Sequence, residues 1–256
     1  MYNPQSGEWK AQSGKTVIEQ KTSITYPVEN IQPLPDAQDK RVESISSHIQ
    51  DTILENVKTR NLYFFARTMT SATESSLGWV SISSLFEVKD LLAASIDKIY
   101  LWIERIFPLD QSKKPILIGL GFWGGILASH INARRDSSCF LISSHRIPHN
   151  QVYFESINYV VDSLVGVDFD SVIIITDVIS TGNSIVRVKK ELETKYPSQC
   201  KKFVAVSVLS DKNQHRLQQL NEFYKIGSLC IDLPIPVIDN DKLPDHSIFP
   251  VEYDFR

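Results

Sequence analysis

The 256-residue chain has little cysteine, no large excess of one charge and no apolar run long enough to span a membrane. Its three cysteines, Cys139, Cys200 and Cys230, are widely spaced and follow no C-x-x-C or Cys/His pattern, which favours buried reduced thiols over disulfides or zinc. The net charge of -3 gives no general attraction to nucleic acid, which is not an expected partner. The first ten residues lack the apolar core of a signal peptide, so the expected compartment is the cytoplasm.

Residues 1–39 differ in composition from residues 40–256. The first segment is polar, contains Pro4, Pro27, Pro33 and Pro35, and shows no sustained period, apart from a possible strand over residues 16–26. It is predicted to be an extended or flexible N-terminal arm, either a poorly ordered tail or a segment that contacts a partner subunit. The rest is predicted to form one domain, with small hood elements near residues 60–85 and 239–256.

Hydrophobic periodicity predicts the order of strands and helices in the second segment. Apolar residues at helical spacing predict helices over residues 40–58 and 84–107, with strands over residues 61–70 and 75–84 between them. From residue 115 the apolar strands PILIGL, SCFLISS, SVIIITDV, KFVAVSVLS and GSLCIDL are interspersed with amphipathic helices such as GILASHINARR and NSIVRVKKELETKY. Such an alternation predicts an α/β fold with a mainly parallel central sheet and helices on both faces.

A glycine-rich stretch, GFWGG at residues 121–125, follows the strand PILIGL. Closely spaced glycines let a backbone turn sharply and let a ligand approach the main-chain N–H groups, and a helix starting near Ile126 would direct its positive end at an anion. Gly119, Gly121 and Gly124 also fit the G-x-G-x-x-G dinucleotide fingerprint. Two alternatives therefore stay open at this point, an NADP-binding oxidoreductase using Ser144 and Arg146, and a tight turn without a ligand.

A second candidate loop lies in the stretch VIIITDVISTGNS, residues 172–184, where an apolar strand leads into Asp177 and a small polar turn. Hydroxyl groups and successive backbone N–H groups at a helix start can surround a phosphate, and Gly182 permits a conformation that other residues resist. A carboxylate beside such a pocket can accept hydrogen bonds from sugar hydroxyls. The pattern therefore predicts a ribose 5-phosphate site, although an Asp-initiated turn alone would explain the loop.

The same stretch resembles the signature of type I phosphoribosyltransferases: an apolar strand, acids, two apolar residues and a Thr-Gly phosphate loop. ILIGLGFWGG is similar to the strand and pyrophosphate loop of these enzymes, and RTMTSATESSLGWVSIS faintly resembles the N-terminal hairpin of the orotate branch. Residues 145–170 would then correspond to the flexible loop that closes over the sugar. The resemblance covers residues 60–235 and implies transfer of phosphoribose from phosphoribosyl pyrophosphate to a nitrogenous base, with Mg²⁺ and a homodimer.

The resemblance also assigns roles to individual residues. Asp177 would be catalytic, binding a ribose hydroxyl, stabilising positive charge on the sugar, and supporting Mg²⁺ indirectly through ribose hydroxyls or water. Thr176 would take the place of a second acid on the ribose. Around the 5-phosphate we expect Ser180, Thr181, Gly182, Asn183 and Ser184. Along the pyrophosphate we expect Gly121, Phe122, Trp123, Gly124, Gly125 and, as a direct charge, Arg146.

Two residues depart from the family pattern. Thr176 stands where the family has Asp or Glu, and a bond to a neutral group contributes about 1 kcal/mol, against about 1.5–3 kcal/mol for a charged one. Trp123 stands in a loop where many members carry Arg or Lys, and it cannot neutralise pyrophosphate. A non-catalytic sensor, regulator or effector subunit that binds phosphoribosyl compounds or nucleotides is therefore the alternative to an active transferase.

Overall fold

The computed structural model describes residues 2–3, 8–9, 42–60, 63–64, 68–69, 74–76, 79–109, 113–135, 137–142, 145–147, 151–153, 155–180, 182–211, 220, 222–233 and 237–239. The chain divides into two units, Met1–Asp39 and Lys40–Arg256. In the first unit β1 (Tyr2–Asn3) pairs antiparallel with β2 (Glu8–Trp9), and the strand predicted over residues 16–26 lies outside the described residues. None of the helices described is long and apolar enough to cross a membrane.

The second unit contains thirteen described strands and six described helices. Its strands are β3 (Val42–Ser44), β4 (Tyr63–Phe64), β5 (Thr68–Met69), β6 (Glu74–Ser76), β7 (Trp79–Val80), β8 (Ile116–Leu120), β9 (Cys139–Ile142), β10 (His145–Ile147), β11 (Gln151–Tyr153), β12 (Ser171–Ile179), β13 (Lys202–Asp211), β14 (Lys225–Leu233) and β15 (Val237–Asp239). Its helices are α1 (Ser47–Thr59), α2 (Ile82–Phe86), α3 (Leu91–Ile106), α4 (Gly121–Arg135), α5 (Glu155–Ser163) and α6 (Asn183–Lys195).

Six of these strands form the central sheet, in the order β3-β14-β13-β12-β8-β9. Every neighbouring pair in it is parallel, which confirms the predicted parallel sheet. Strand β12 lies inside the sheet, and all its residues from Ser171 to Thr176 are buried. A strand covered on both faces needs apolar side chains in both directions, which is why its sequence reads as a continuous apolar run.

Two hydrophobic clusters, one on each face of the sheet, confirm the predicted helical layers. The first joins α1, α3 and α4 to one face, and Ile53, Ile99 and Leu127 in it are fully buried. The second joins α5 and α6 to the other face, with Val160 and Val188 in its interior. The three cysteines are free thiols as predicted, and burial raises the pKa of Cys200 to about 11.

The two helices predicted before residue 110 are each interrupted or shortened. The segment predicted as a helix from residue 40 starts as strand β3, because Val42 is buried in the sheet and α1 begins only after its cap, Ser46. The helix predicted over residues 84–107 is two helices, α2 and α3. Asp90, with φ at 63°, precedes α3, and a left-handed residue cannot continue a helix. Ser81 starts α2 by accepting the N–H of Ser84 at 3.2 Å, which shortens the strand predicted over residues 75–84.

The closing loop predicted over residues 145–170 is wrong for Glu155–Ser163, which form helix α5. Strands β10 and β11 pair there as an antiparallel hairpin, and α5 follows. Ile157, Val160, Val161 and Leu164 are buried in the second cluster. Their spacing of one, three and four residues is that of a helix packed on a sheet. This periodicity was present in the sequence, but the family resemblance led to the prediction of a loop.

The remaining short strands lie near the two stretches expected to form the hood. β15 pairs antiparallel with β6, β6 pairs with β5, and β4 pairs with β7. The strand predicted over residues 61–70 is thus two separate two-residue strands, β4 and β5. Residues 240–256 lie outside the described part of the chain.

Candidate functional site

The carboxyl end of β12 carries the acidic residue of the predicted site. Asp177 is partly exposed, and its Oδ1 accepts the backbone N–H of Val178 at 2.8 Å. The hydroxyl of Thr176 donates to the same oxygen at 3.3 Å, and Thr176 itself is only 7% exposed. One carboxylate oxygen is thus held in place by its own strand, which fixes the direction of the side chain at the sheet edge where ligands of parallel α/β folds bind.

The chain passes from β12 to α6 through a left-handed glycine. Gly182 has φ at 75° and ψ at -2°, directly before Asn183, the first residue of α6. As the N-cap it has no side chain to accept the N–H groups of the first turn, where Ser184 also lies. The Ser180 hydroxyl is buried without a hydrogen-bond partner. Thr181, predicted with these residues, lies outside the described part. The loop therefore combines donors of the kind that bind a phosphate.

Leu220 packs against the predicted phosphate loop, a contact that sequence reasoning missed. A Cβ built on Gly182 would lie 2.9 Å from Leu220 Cδ2, and Leu220 is buried. Two residues further on, Glu222 binds the buried Lys189 of α6 at 2.9 Å, and Lys189 also binds Glu193 at 2.7 Å. The sequence signal for this connection was the helical spacing that places Lys189 on the apolar face of α6 with Ile185 and Leu192.

The glycines of residues 119–125 serve close packing between β8, α4 and β12. No loop separates β8 from α4, which begins at Gly121 instead of near the expected Ile126. A Cβ on Gly124 would lie 2.5 Å from the carbonyl oxygen of Ile175, and one on Gly119 would lie 2.7 Å from the carbonyl oxygen of Gly124. The first turn of α4 therefore lies directly against the strand that ends in Asp177, and this packing accounts for two of the three fingerprint glycines.

The aromatic residues of this turn point in different directions. Trp123 donates its indole N–H to Ser83 Oγ at 3.2 Å and packs against Phe86, with ring centroids 5.0 Å apart. Phe122 is 74% exposed, and Gly125 faces Leu141 at the sheet edge. Trp123 is thus engaged in packing with α2.

Arg146 is the predicted site residue that stands apart from the central sheet. It lies in β10 opposite Val152 of β11, and this hairpin forms a separate two-stranded sheet. The structure describes only its backbone, and Ser144 lies outside the described residues. The charge predicted for the pyrophosphate and for the phosphate of NADP therefore stays a prediction.

Neutral hydroxyl residues continue from Thr176 across the sheet. Thr176 is paired in register with Ser207 of β13, Ser207 with Ser228 of β14, and Ser228 with Ser44 of β3. We call these four residues the hydroxyl row. The hydroxyls of Ser207 and Ser228 are 3.1 Å apart and fully buried. Polar residues near the end of the apolar strand KFVAVSVLS were the sequence signal that could have revealed the row.

Strand β13 carries one more polar group at the same edge of the sheet. Ser210 is paired with Ile179, one residue before Ser180, and is fully buried without a hydrogen-bond partner for its hydroxyl. A buried hydroxyl without a partner costs about 1–3 kcal/mol. Both hydroxyls lie at the carboxyl end of the sheet, where ligands of parallel α/β folds bind.

For the Mg²⁺ that the family resemblance implies, the described residues at this edge supply one carboxylate, that of Asp177. Within the described part of the chain, no three His, Cys, Asp or Glu side chains form a group that could hold a metal ion. Asp177 is the single acid where the family has two, and its Oδ1 already accepts two hydrogen bonds. Mg²⁺ requires an octahedral set of oxygen ligands, and the neutral Thr176 reduces the charge available to support it.

No protein-family model matches the chain, and no curated protein matches it. Solved structures are similar to it. Orotate phosphoribosyltransferase from Aeropyrum pernix is 15% identical with a TM-score of 0.46, and the match covers 69% of this chain and 93% of that one. For adenine phosphoribosyltransferase from Trypanosoma brucei the identity is 15% and the TM-score 0.45, with 70% of this chain and 78% of that one covered, and for adenine phosphoribosyltransferase from Rhodothermus marinus the identity is 14% and the TM-score 0.46, with 70% and 98% covered. At these identities and TM-scores, the roles of the residues have to come from this chain itself.

Proposed function

We propose that the protein binds a phosphoribosyl group at the carboxyl end of β12, with the 5-phosphate on the first turn of α6. The observation that carries the proposal is the left-handed Gly182, which precedes α6 without a side-chain cap and lies two residues after the unpartnered hydroxyl of Ser180. The N–H groups at a helix start carry partial positive charge and favour a phosphate. Asp177 lies in the adjoining strand, where a carboxylate can accept the ribose hydroxyls.

Isothermal titration calorimetry with ribose 5-phosphate tests this function. We expect binding to the full chain and a loss of about three- to tenfold in affinity for Ser184→Ala, since one hydrogen bond to phosphate is removed. Ser163→Ala is the matched control, because Ser163 ends α5 and its hydroxyl donates to the Tyr159 carbonyl oxygen at 2.7 Å. Equal affinities for wild type and Ser184→Ala would count against the α6 site.

The same titration separates the proposal from the oxidoreductase alternative. An NADP-binding protein would bind NADPH tightly, would lose that binding in Arg146→Ala, and would be unaffected by Ser184→Ala. Since close packing of α4 on β12 explains Gly119 and Gly124 without a ligand, we expect weak or no NADPH binding.

A second candidate function is transfer of the phosphoribosyl group to a nitrogenous base, which Asp177 supports. In such a reaction a C1–N bond forms as the C1–O bond to pyrophosphate breaks, and positive charge develops on the sugar. A carboxylate held beside the ribose stabilises that charge. A pyrophosphate-release assay across adenine, guanine, hypoxanthine, uracil and orotate tests this candidate, and ribose 5-phosphate binding without turnover on any base would support a sensor, regulator or effector subunit.

A further inference from the structure

Given the phosphoribosyl-binding function proposed above, on which this step rests, we infer that the ligand is a ribose 5-phosphate with an uncharged group at its anomeric carbon, bound without Mg²⁺. Free ribose 5-phosphate and 5′-nucleotides share this chemistry. Phosphoribosyl pyrophosphate differs from it by a charged diphosphate at the anomeric carbon. Three features of the described residues favour the uncharged group.

The first feature is the neutral surrounding of Thr176. Its partner in register, Ser207, is fully buried, as is Ser228 beyond it. Ser228 donates to backbone carbonyl oxygens of Val208 and Cys230 at 3.3 and 3.0 Å. A carboxylate in the buried position of Thr176 would face this row of neutral hydroxyl groups, and burying a charge without a charged partner is costly. The surroundings at this end of the sheet therefore favour a neutral residue at position 176, beside Asp177.

The second feature is the first turn of α4, where the resemblance places a diphosphate. Residues 121–125 include no cationic side chain, and Trp123 is bonded to Ser83. The two arginines of α4, Arg134 and Arg135, lie about 20 Å along the helix axis from Gly121. They bind Asp97 at 2.6 Å and Glu104, respectively, both on α3. Among the described groups, this helix start supplies only about half a positive charge against a diphosphate.

The third feature is the set of groups that does match a phosphate monoester. The first turn of α6 has no side-chain cap from Gly182, and two buried hydroxyls without partners lie nearby, Ser180 directly after β12 and Ser210 in β13. Asp177, in β12, is the carboxylate proposed for the ribose hydroxyls. These groups can form hydrogen bonds with a 5-phosphate and a sugar. None of these hydrogen bonds requires a metal ion or a charged leaving group.

Calorimetry with two probes that differ only at the anomeric carbon tests the inference. Ribose 5-phosphate and phosphoribosyl pyrophosphate are titrated into the full chain, each with magnesium chloride and with EDTA. We expect dissociation constants within about threefold of each other, and a change of less than about twofold between magnesium and EDTA. AMP and UMP are titrated in parallel, and tighter binding of either one also supports the inference and identifies a nucleotide as the ligand.

Substitutions at position 176 provide the matched variants. Thr176→Ser keeps a neutral hydroxyl and is expected to show no magnesium dependence in its binding of phosphoribosyl pyrophosphate. Thr176→Asp installs the second acid and is expected to make phosphoribosyl pyrophosphate bind at least about fivefold more tightly with magnesium than with EDTA. If Thr176→Asp does not fold, the wild-type comparison decides alone, since it needs no variant.

The outcomes distinguish a failure of this inference from a failure of the proposed function. Binding of phosphoribosyl pyrophosphate by wild type that is about tenfold tighter than that of ribose 5-phosphate, and only with magnesium, would overturn the inference. If Ser184→Ala weakens both probes in that case, the phosphoribosyl site itself stands. Absence of binding for every probe would overturn the proposed function and the inference with it.

Discussion

Gly182 is the residue on which the shape of the candidate phosphate loop depends most. We predict that Gly182→Ala lowers the affinity for ribose 5-phosphate by at least about tenfold, as measured by calorimetry. A left-handed conformation costs about 1–2 kcal/mol for a residue with a Cβ, and here the added methyl would also lie 2.9–3.1 Å from three atoms of Leu220. Relieving the backbone strain and the clash with Leu220 requires the loop to move. Its N–H groups then move away from the positions that bind the phosphate.

Gly166→Ala is the control for this prediction. Gly166 also has a left-handed backbone, with φ at 82°, but a Cβ there would meet nothing within 4 Å, and it lies in the connection between α5 and β12. Gly166→Ala should therefore carry only the cost of the left-handed backbone and leave ligand affinity unchanged. Equal affinity in Gly182→Ala and wild type would show that the loop conformation is not needed for binding.

Position 176 shows how far single residues can be interpreted from the sequence. The sequence identified Thr176 as a neutral residue in place of an acid, and the structure shows why it is tolerated. Its neighbours across the sheet are serines that lie 31 and 52 residues further along the chain. No local pattern connects these strands, because register between parallel strands is set by tertiary packing. The threonine was therefore visible in the sequence, and the hydroxyl row to which it belongs was not.

Among the elements, the contact between α4 and β12 allows the sharpest test of packing. We predict that Gly124→Ala lowers the free energy of unfolding by about 2–3 kcal/mol, because overpacking against backbone cannot be relieved by a rotamer change. The new Cβ would lie 2.5 Å from the Ile175 carbonyl oxygen and 3.0 Å from the Thr176 Cα. Urea unfolding followed by circular dichroism provides the measurement.

Gly125→Ala is the matched variant one residue further along α4. Its Cβ would approach only the Leu141 side chain, at 3.4 and 3.9 Å, and alanine is the better helix former by about 1 kcal/mol. We expect a change within about 1 kcal/mol of wild type. A similar loss in both variants would mean that α4 does not lie as closely on β12 as described.

The connection between α6 and Glu222 should depend on pH. Burial lowers the pKa of Lys189, but hydrogen bonds and charge from Glu193 and Glu222 outweigh this and raise it above 10.5, while Lys189 holds the pKa of Glu222 below 4.5. The contribution of Glu222 to stability is therefore present above pH 4.5 and is lost as pH falls through its lowered pKa. That of Lys189 is present below pH 10.5 and is lost as pH rises through its raised pKa.

We predict that Glu222→Gln lowers the urea midpoint at pH 7 and that the difference from wild type shrinks as the pH falls below 4.5 and Glu222 becomes protonated. Glu191→Gln, at an exposed position of α6, is the control for loss of a negative charge. A difference that persists unchanged at pH 3 would contradict the role of the ion pair.

At the level of elements, periodicity predicted the central strands well and the peripheral elements poorly. The sequence predicted five strands of the central sheet, β8, β9, β12, β13 and β14. Buried parallel strands are continuous apolar runs, which can be recognised without knowledge of their neighbours in the fold. Helix α5 was missed even though Ile157, Val160 and Val161 follow helical spacing, since the resemblance suggested a closing loop there. The break between α2 and α3 at Asp90 depends on one backbone conformation, which composition does not reveal.

The whole molecule combines an α/β unit of 217 residues with a smaller N-terminal unit, Met1–Asp39. In the larger unit, the carboxyl end of the parallel sheet brings together β12, the starts of α4 and α6, and the end of β13. A sheet edge of this kind is where parallel α/β folds bind ligands, so the position of the site follows from the topology and its chemistry from the side chains.

The position of the bound phosphate is the most direct test of the proposed site. A crystal structure of the full chain with ribose 5-phosphate should place phosphate oxygens within about 3.2 Å of the backbone nitrogens of Asn183 and Ser184. It should place a ribose hydroxyl on Asp177. A phosphate bound instead at the first turn of α4, or away from the carboxyl end of β12, would contradict the assignment.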